Sequence, residues 1–340
     1  MIRQVGVDPA MEGHSEASIH RCSQVRGRVF CVPSTGFTTT MSTTTTMTAA
    51  PSQTITKSSE TLATPLVVEK PVEKSGVTAL STGGYEFPGI PKIADPYKKR
   101  HWQLEHMAGA FRVFARKGFT EGTSGHISVR DPVDPNTFWI NPLGKHFGML
   151  KASDMVQIDE EGQVIGGNRA AVNAAGFMIH SAIHKARPDI HAACHTHSPA
   201  GKAWSTFGKP LDIISQDTCN FWGIQAVYRS FGGVVLEADE SQKIAESLGE
   251  KGRVIVLQNH GLLTTGGTVD EAAYLFTLME KSCEVQIMVE STGLPKNIIG
   301  EKEAEFTAKV NADPETLYTE FQPDFEYEIW RSRGELCKGE

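Results

Sequence analysis

His195 and His197 stand one residue apart in the stretch His191-Ala192-Ala193-Cys194-His195-Thr196-His197-Ser198-Pro199. The stretch reads as a short β-strand. Side chains alternate across a strand, so His195 and His197 project side by side from one face. Two imidazoles so placed can ligate one divalent cation. Cys194 and Thr196 point the other way, into packing. A chain with 12 histidines also produces such a pair by chance, so the surroundings must decide. His180 and His184 sit at helical i,i+4 spacing. They suggest either a second site or, more simply, a helix face packed on a sheet. His191 and His146 read as ordinary polar residues, although His146 could edge a pocket.

The elements that would position these groups are legible in order. Asp95-Pro96 is an N-cap followed by Pro at the first helical position. Trp102, Met107, Phe111 and Phe114 recur at mostly helical spacing, and Gly118 supplies a stop. Strand-like pieces follow at Ile127–Arg130, Phe138–Ile140 and Met155–Ile158. A helix over Asn173–Arg187 ends at Pro188 and feeds the His-x-His strand. Ser198-Pro199 is expected to cap a short helix. Val234–Leu236 reads as a strand and Asp239–Gly249 as a helix, with Asp239 and Glu240 as acids at its start. Arg253–Leu257 reads as a buried strand, ending in Gln258-Asn259-His260-Gly261. Thr268-Val269-Asp270-Glu271 is a capping box that opens a long helix to about Ser291, with Gly293 behind it. Beyond Pro295 the chain carries an aromatic cluster: Phe321, Phe325, Tyr327 and Trp330.

Composition bounds the function. Hydrophobic content of 39% with 21% charged residues is that of an ordinary globular chain. A formal net charge of -7 gives no electrostatic reason to expect nucleic acid. No apolar run approaches the length of a membrane-spanning helix. The six cysteines, scattered without paired spacing, fit a reducing compartment. No Gly-x-Gly-x-x-Gly strand–turn–helix is present, which argues against a dinucleotide binder.

Residues 1–90 differ from the rest. Thr38 to Thr48 is low complexity, and Ser, Thr, Pro and Ala dominate up to Pro65. Such a stretch buries too little apolar surface to offset its ordering entropy, so disorder is expected. Arg3, Arg21, Arg26 and Arg28 weakly suggest a mitochondrial presequence. Asp8, Glu12 and Glu16 oppose it, and a cytoplasmic location is the expectation. Met41 is an alternative start.

Five blocks occur in one order: Gly122-Thr123-Ser124-Gly125-His126-Ile127-Ser128-Val129-Arg130; Ile140-Asn141-Pro142-Leu143-Gly144; His180 through Arg187-Pro188-Asp189; His195-Thr196-His197; and Asn259-His260-Gly261-Leu262. Together they resemble the class II aldolase/adducin family over roughly residues 95–293. His126-Ile127-Ser128 and Cys283-Glu284-Val285-Gln286 lean toward its adducin-like branch. The resemblance implies one layered α-β-α domain over 91–295, an α/β fold with a mixed central sheet flanked by helices. The helical and aromatic tail, 296–340, would pack on the domain or on a neighbouring subunit. It also implies that His195, His197 and His260 hold one metal ion, Zn2+ first, with Fe2+ or Mn2+ as alternatives. Three neutral imidazoles leave an open position, as a Lewis-acid catalyst requires. Gly122, Thr123, Gly125 and Gly144 would form the substrate loops. A homo-oligomer, commonly a tetramer in the family, is implied too.

The departures from the family pattern shape the functional expectation. Where the family's aldolases carry a carboxylate, this chain has Gly176. The phosphate-holding serines fall on Ala174 and Ala175, the loop Asn on His126 and the turn Thr on Leu143. A glycine cannot act as acid or base, so His126 and Asp217 become the candidate proton carriers. Asp217 reads equally well as a surface turn residue. Two functions follow. One is a metal-dependent lyase acting on a small non-phosphorylated carbonyl or hydroxy-acid substrate by aldol cleavage, decarboxylation or related enolate chemistry. The other is a non-catalytic adducin-like module for actin-cytoskeleton binding or assembly. The chain has no lysine-rich tail like that of adducins, and a binding module has no need of three metal-type histidines.

Overall fold

Asp95 begins the first helix as its side chain accepts from the N–H groups of Tyr97 and Lys98. The computed structural model describes residues 87–235 and 238–338, with the isolated positions 76, 81 and 83. All of these lie in one compact unit, Val67–Glu340. The expectations of disorder over 1–90, of a presequence and of a start at Met41 fall outside the described residues, apart from the few positions up to Ile90. Helix α1, Pro96–Arg116, buries Met107, Phe111 and Phe114 completely. Each such side chain contributes about 1.5–3 kcal/mol when removed from water.

Among the described residues eight strands form one sheet. They are β1 His126–Arg130, β2 Phe138–Ile140, β3 Val156–Ile158, β4 Val164–Gly167, β5 Ala192–Thr196, β6 Gln225–Tyr228, β7 Val254–Leu257 and β8 Gly261–Gly266. Their spatial order is β4-β3-β2-β1-β5-β8-β7-β6. Every pairing is antiparallel except β6 with β7, so the sheet is mixed.

Alternation along the strands sorts the two faces. Ile127 and Val129 of β1 and Ala192 and Cys194 of β5 share a core with α1 and with α5, Val269–Ser291. Ile255 and Leu257 of β7 and Leu263 of β8 pack on the other face with α2, Ala174–Ala186, and α4, Ala238–Leu248. The result is the layered α-β-α arrangement. Helix α3, Pro199–Ser205, and α7, Pro314–Arg331, join the α1 side. Helix α6, Glu301–Asn311, precedes α7. Phe321 and Phe325 of α7 lie in the α1–α5 core of this same chain, whereas Trp330 is 73% exposed.

Two expectations about elements change, and three strands, β4, β6 and β8, were not expected. Val234 and Val235 form no strand, and Leu236 is outside the described residues. The strand of that region is β6, whose Gln225, Ala226 and Val227 are only half-buried and therefore give a weak apolar signal. Strand β4 is short and glycine-bearing, and β8 follows β7 after a three-residue turn, so neither stands out by composition. Ser198 does not cap α3 with its own side chain. No described helix is long and apolar enough to cross a membrane.

Candidate metal centre

The end of β5 and the β7–β8 turn bring three imidazoles together. His195 lies in β5, opposite His126 of β1 and Leu263 of β8. His197 follows the strand end, just before α3. His260 closes the β7–β8 turn after Asn259, which adopts φ 58. Asn tolerates this left-handed conformation better than most residues because its short polar side chain bonds locally. The sharp reversal turns His260 toward β5. Ring centroids lie 5.2 Å apart for His195 and His197, 4.7 Å for His195 and His260, and 5.0 Å for His197 and His260.

One ring nitrogen from each histidine falls within 4.8 Å of the other two. The Nε2 atoms of His197 and His260 approach to 3.0 Å. Bonds of about 2.0–2.1 Å to a tetrahedral zinc would separate ligand nitrogens by roughly 3.3 Å, so the trio fits one such ion with small adjustment. His195 Nδ1–H donates to the Leu262 carbonyl at 2.7 Å. That bond sets the tautomer and leaves the Nε2 lone pair free, as for a metal-bound histidine. Burial, reinforced by the neighbouring imidazoles, holds the His195 pKa well below its ordinary value. Burial also lowers that of His197. His260 is pushed down to about 4 by burial, with His197 adding to it. Neutral imidazole is the ligating form.

Glu280 of α5, which the sequence reading missed, anchors the turn behind His197. Its carboxylate accepts from Ser198 Oγ and from the N–H groups of Ala200 at 2.8 Å and Gly201 at 2.7 Å. It supplies the N-terminal partners of α3 that Ser198 does not. Burial raises the Glu280 pKa against the opposing pull of these donors. Nothing in local spacing joins Glu280 to Ser198, since they are 82 residues apart.

The three histidines line a cavity of about 390 Å³. Gly125, His126, Ala175 and Ile179 form its inner wall, with Lys202 at one side and Phe231 and Val234 at its rim. Lys202 Nζ also pairs with Glu121 at 2.5 Å. The rim loop is held where Gly232 N–H donates to Glu240 at 3.0 Å, so Glu240 does more than begin α4. Lys202, in α3, and Phe231 and Val234, together on the loop after β6, were not legible as site residues, because no local spacing ties them to the histidines.

The candidate residues do not all converge. Gly125 belongs to the cavity, and its φ of 92 and the contact a Cβ would make with Phe147 at 3.0 Å both favour glycine. Gly122 and Thr123 are exposed in the turn closed by the Glu121–Ser124 bridge and are not cavity-lining. Gly144 is exposed in the turn after β2, with open space around it. Asp217 is exposed on the turn Asp217–Phe221, near Tyr274 of α5, and does not line the cavity. His126 does, through a buried ring pressed against Gly176. His180 and His184 are buried and both hydrogen-bond to Ser128. His146 caps its own turn by accepting from Gly148 N–H.

The sequence profile described as the Class II Aldolase and Adducin N-terminal domain matches residues 105–287, more than half of the chain. The chain belongs to this family. Within it, the chain is 45% identical to the meiotically up-regulated gene 14 protein of Schizosaccharomyces pombe over 254 residues, 73% of this chain and 97% of that one. It is 40% identical to decarboxylase NovR of Streptomyces niveus over 215 residues, 62% of this chain and 78% of that one. Among solved structures, L-fuculose 1-phosphate aldolase from Glaciozyma antarctica PI12 aligns with a TM-score of 0.67 at 40% identity, covering 73% of this chain and 97% of that one. The mixed sheet between helical layers is thus that of a class II aldolase/adducin domain.

Proposed function

We propose that the chain is a metal-dependent lyase that acts on a non-phosphorylated carbonyl or hydroxy-acid substrate. The observation that carries this reading is the trio His195, His197 and His260, three neutral imidazoles converging at one cavity. They would hold the ion, Zn2+ first and Fe2+ or Mn2+ as alternatives. When bound, such an ion supplies Lewis acidity that polarises a carbonyl and stabilises an enolate. The decarboxylase among the relatives supports a reaction of this class.

The chain's own groups supply the rest. Lys202 places a cation at the cavity wall, suited to a substrate carboxylate. Phe231, Val234 and Ile179 give it an apolar side that excludes water. His126 Nε2 serves as the proton carrier in place of the missing carboxylate at position 176. Ala174 and Ala175 begin α2 without hydroxyls, and Leu143 is 42% exposed, so no side chain at these positions cradles a phosphate. The adducin-like reading, a module for actin binding or assembly, leaves three clustered imidazoles without a purpose.

The test has two arms. Elemental analysis should find about one metal ion per wild-type chain and little in His195→Ala; equal, negligible metal in both sinks the proposal. Turnover should be found among 2-oxo and 2-hydroxy acids, followed by carbon dioxide release or aldol cleavage. Turnover of fuculose 1-phosphate at about 1–1000 per second would contradict the non-phosphorylated substrate. Metal bound without any such reaction would favour the module.

We also propose that the chain assembles into a homo-oligomer, a tetramer by family likeness. Exposed Phe306 and Trp330 supply apolar surface for contacts between copies. A monomer at micromolar concentration by light scattering contradicts it.

A further inference from the structure

The face of β1 that carries His126 also carries Ser128, two residues on. A strand advances about 6.8 Å over two residues, and a helix about 6 Å over four. His180 and His184 of α2 therefore match the spacing of alternate β1 side chains. The contacts follow in sequence. His126 Nδ1 lies 2.8 Å from His180 Nε2. Ser128 Oγ lies 2.6 Å from His180 Nδ1 and 2.7 Å from His184 Nε2. His184 Nδ1 lies 3.2 Å from the Ile190 carbonyl. All four side chains are buried.

The direction of every bond follows from the far end. A backbone carbonyl only accepts, so His184 Nδ1 carries hydrogen and donates to Ile190. Burial, with the Arg130 guanidinium next, pushes the His184 pKa to about 3, so its Nε2 is bare and accepts from Ser128 Oγ–H. Ser128 Oγ then accepts from His180 Nδ1–H. His180 Nε2, left bare, accepts from His126 Nδ1–H. His126 Nε2 is the one atom of the string without a partner among the described residues, and His126 lines the metal cavity. Gly176 completes the arrangement. A Cβ there would lie 2.7 Å from His126 Nε2, so glycine makes room for the ring at the cavity wall.

We propose that His180, Ser128 and His184 form a hydrogen-bonded string that holds His126 in one tautomer, with a bare Nε2 at the cavity wall as the acceptor for the hydroxyl proton of a bound hydroxy acid. His126 is then the group that touches substrate, and the other three are positioning residues. A side chain's tautomer is set by what its second nitrogen meets. Here that setting is relayed through three further groups from a single carbonyl. The inference rests on the proposed function only for the identity of the ligand.

The test is long-range proton–nitrogen correlation of side-chain nitrogens in the zinc-loaded full chain labelled with 15N-histidine, using mandelate as the probe. The expected spectrum has His126, His180 and His184 all as Nδ1–H tautomers, with a bare His126 Nε2 that shifts when mandelate binds. A hydrogen on His126 Nε2 overturns the proposal, as does mandelate that perturbs the His195 signals and leaves His126 Nε2 unmoved. Ser128→Ala should give a mixed tautomer at His126 and bind mandelate about 2- to 10-fold more weakly, at unchanged zinc content. Ser128→Thr keeps a hydroxyl and should retain the wild-type pattern. A wild-type tautomer in Ser128→Ala overturns the string. Should Ser128→Ala not fold, the wild-type spectrum decides alone. Failure to bind zinc or mandelate counts against the proposed function instead, and the His126 tautomer in the metal-free chain still decides the string.

Discussion

The imidazole of His126 fills the space that a side chain at Gly176 would need: a Cβ on Gly176 would lie 2.4 Å from His126 Cδ2. The two positions come from different elements, β1 and α2, and each accounts for the other. A histidine at 126 requires the smallest residue at 176. A glycine at 176 offers no acid or base of its own, and the imidazole of His126 stands at the cavity wall beside it. Three outcomes beyond the metal, substrate and assembly tests follow from this site.

Gly176→Glu alone should destabilise the fold by about 1–3 kcal/mol, because the new side chain overlaps the His126 ring. His126→Asn combined with Gly176→Glu should recover part of that loss. The coupling between the two changes, read from urea unfolding of both single variants and the double, should be about 0.5–3 kcal/mol. Strict additivity would show that the two positions do not share this space.

Asp217→Asn should leave both metal content and turnover as in the wild type, because Asp217 is exposed beside Tyr274 and away from the cavity. His126→Gln should keep metal and lose roughly 100-fold or more in kcat, the usual contribution of a positioned proton carrier. The reverse pattern, measured on one substrate in one buffer, would return the role to Asp217.

Acid should weaken the fold early. Burial, then the Arg130 guanidinium, lowers the His184 pKa from 6.5 to about 3. Unfolding returns it to about 6.5. Between those values the unfolded chain binds the proton that the folded chain refuses, so stability rises with pH across the window and is lost as pH falls through it. His126 and His180 shift in the same direction, with burial the main cause in both. The urea midpoint should therefore fall between about pH 7 and pH 5.5, above the range in which ordinary carboxylates protonate. A flat midpoint over that interval would mean that the histidine string is not buried and neutral.

Much of the fold was legible because its signals are local. Asp95-Pro96 and Thr268 mark helix starts through side-chain acceptors a few residues away, and the structure shows those bonds. Strand β2 runs Phe138–Ile140 as its composition predicts. The strand expected at Val234–Leu236 shows the limit: Val234 is apolar yet 74% exposed, because it serves the cavity rim and not the core. Strand β6 was passed over because its parallel pairing with β7 is a long-range fact.

The sequence by itself determined that His195 and His197 lie together, since residues one apart where a strand ends need only the alternation of extended chain, although β5 itself stops at Thr196. Through the family's block order it also pointed to His260, which the structure brings beside the other two. Only the tertiary structure decided which of the two candidate side chains lines the cavity. Asp217 and His126 were both candidates as letters, and 91 positions of chain separate them. The pairing of β1 with β5 sets His126 directly opposite His195, and the packing of α2 against β1 supplies the partners that fix its ring. Asp217 stays on a surface turn. Strand register and helix packing are set by apolar burial summed over the whole sheet, and no local spacing encodes that sum.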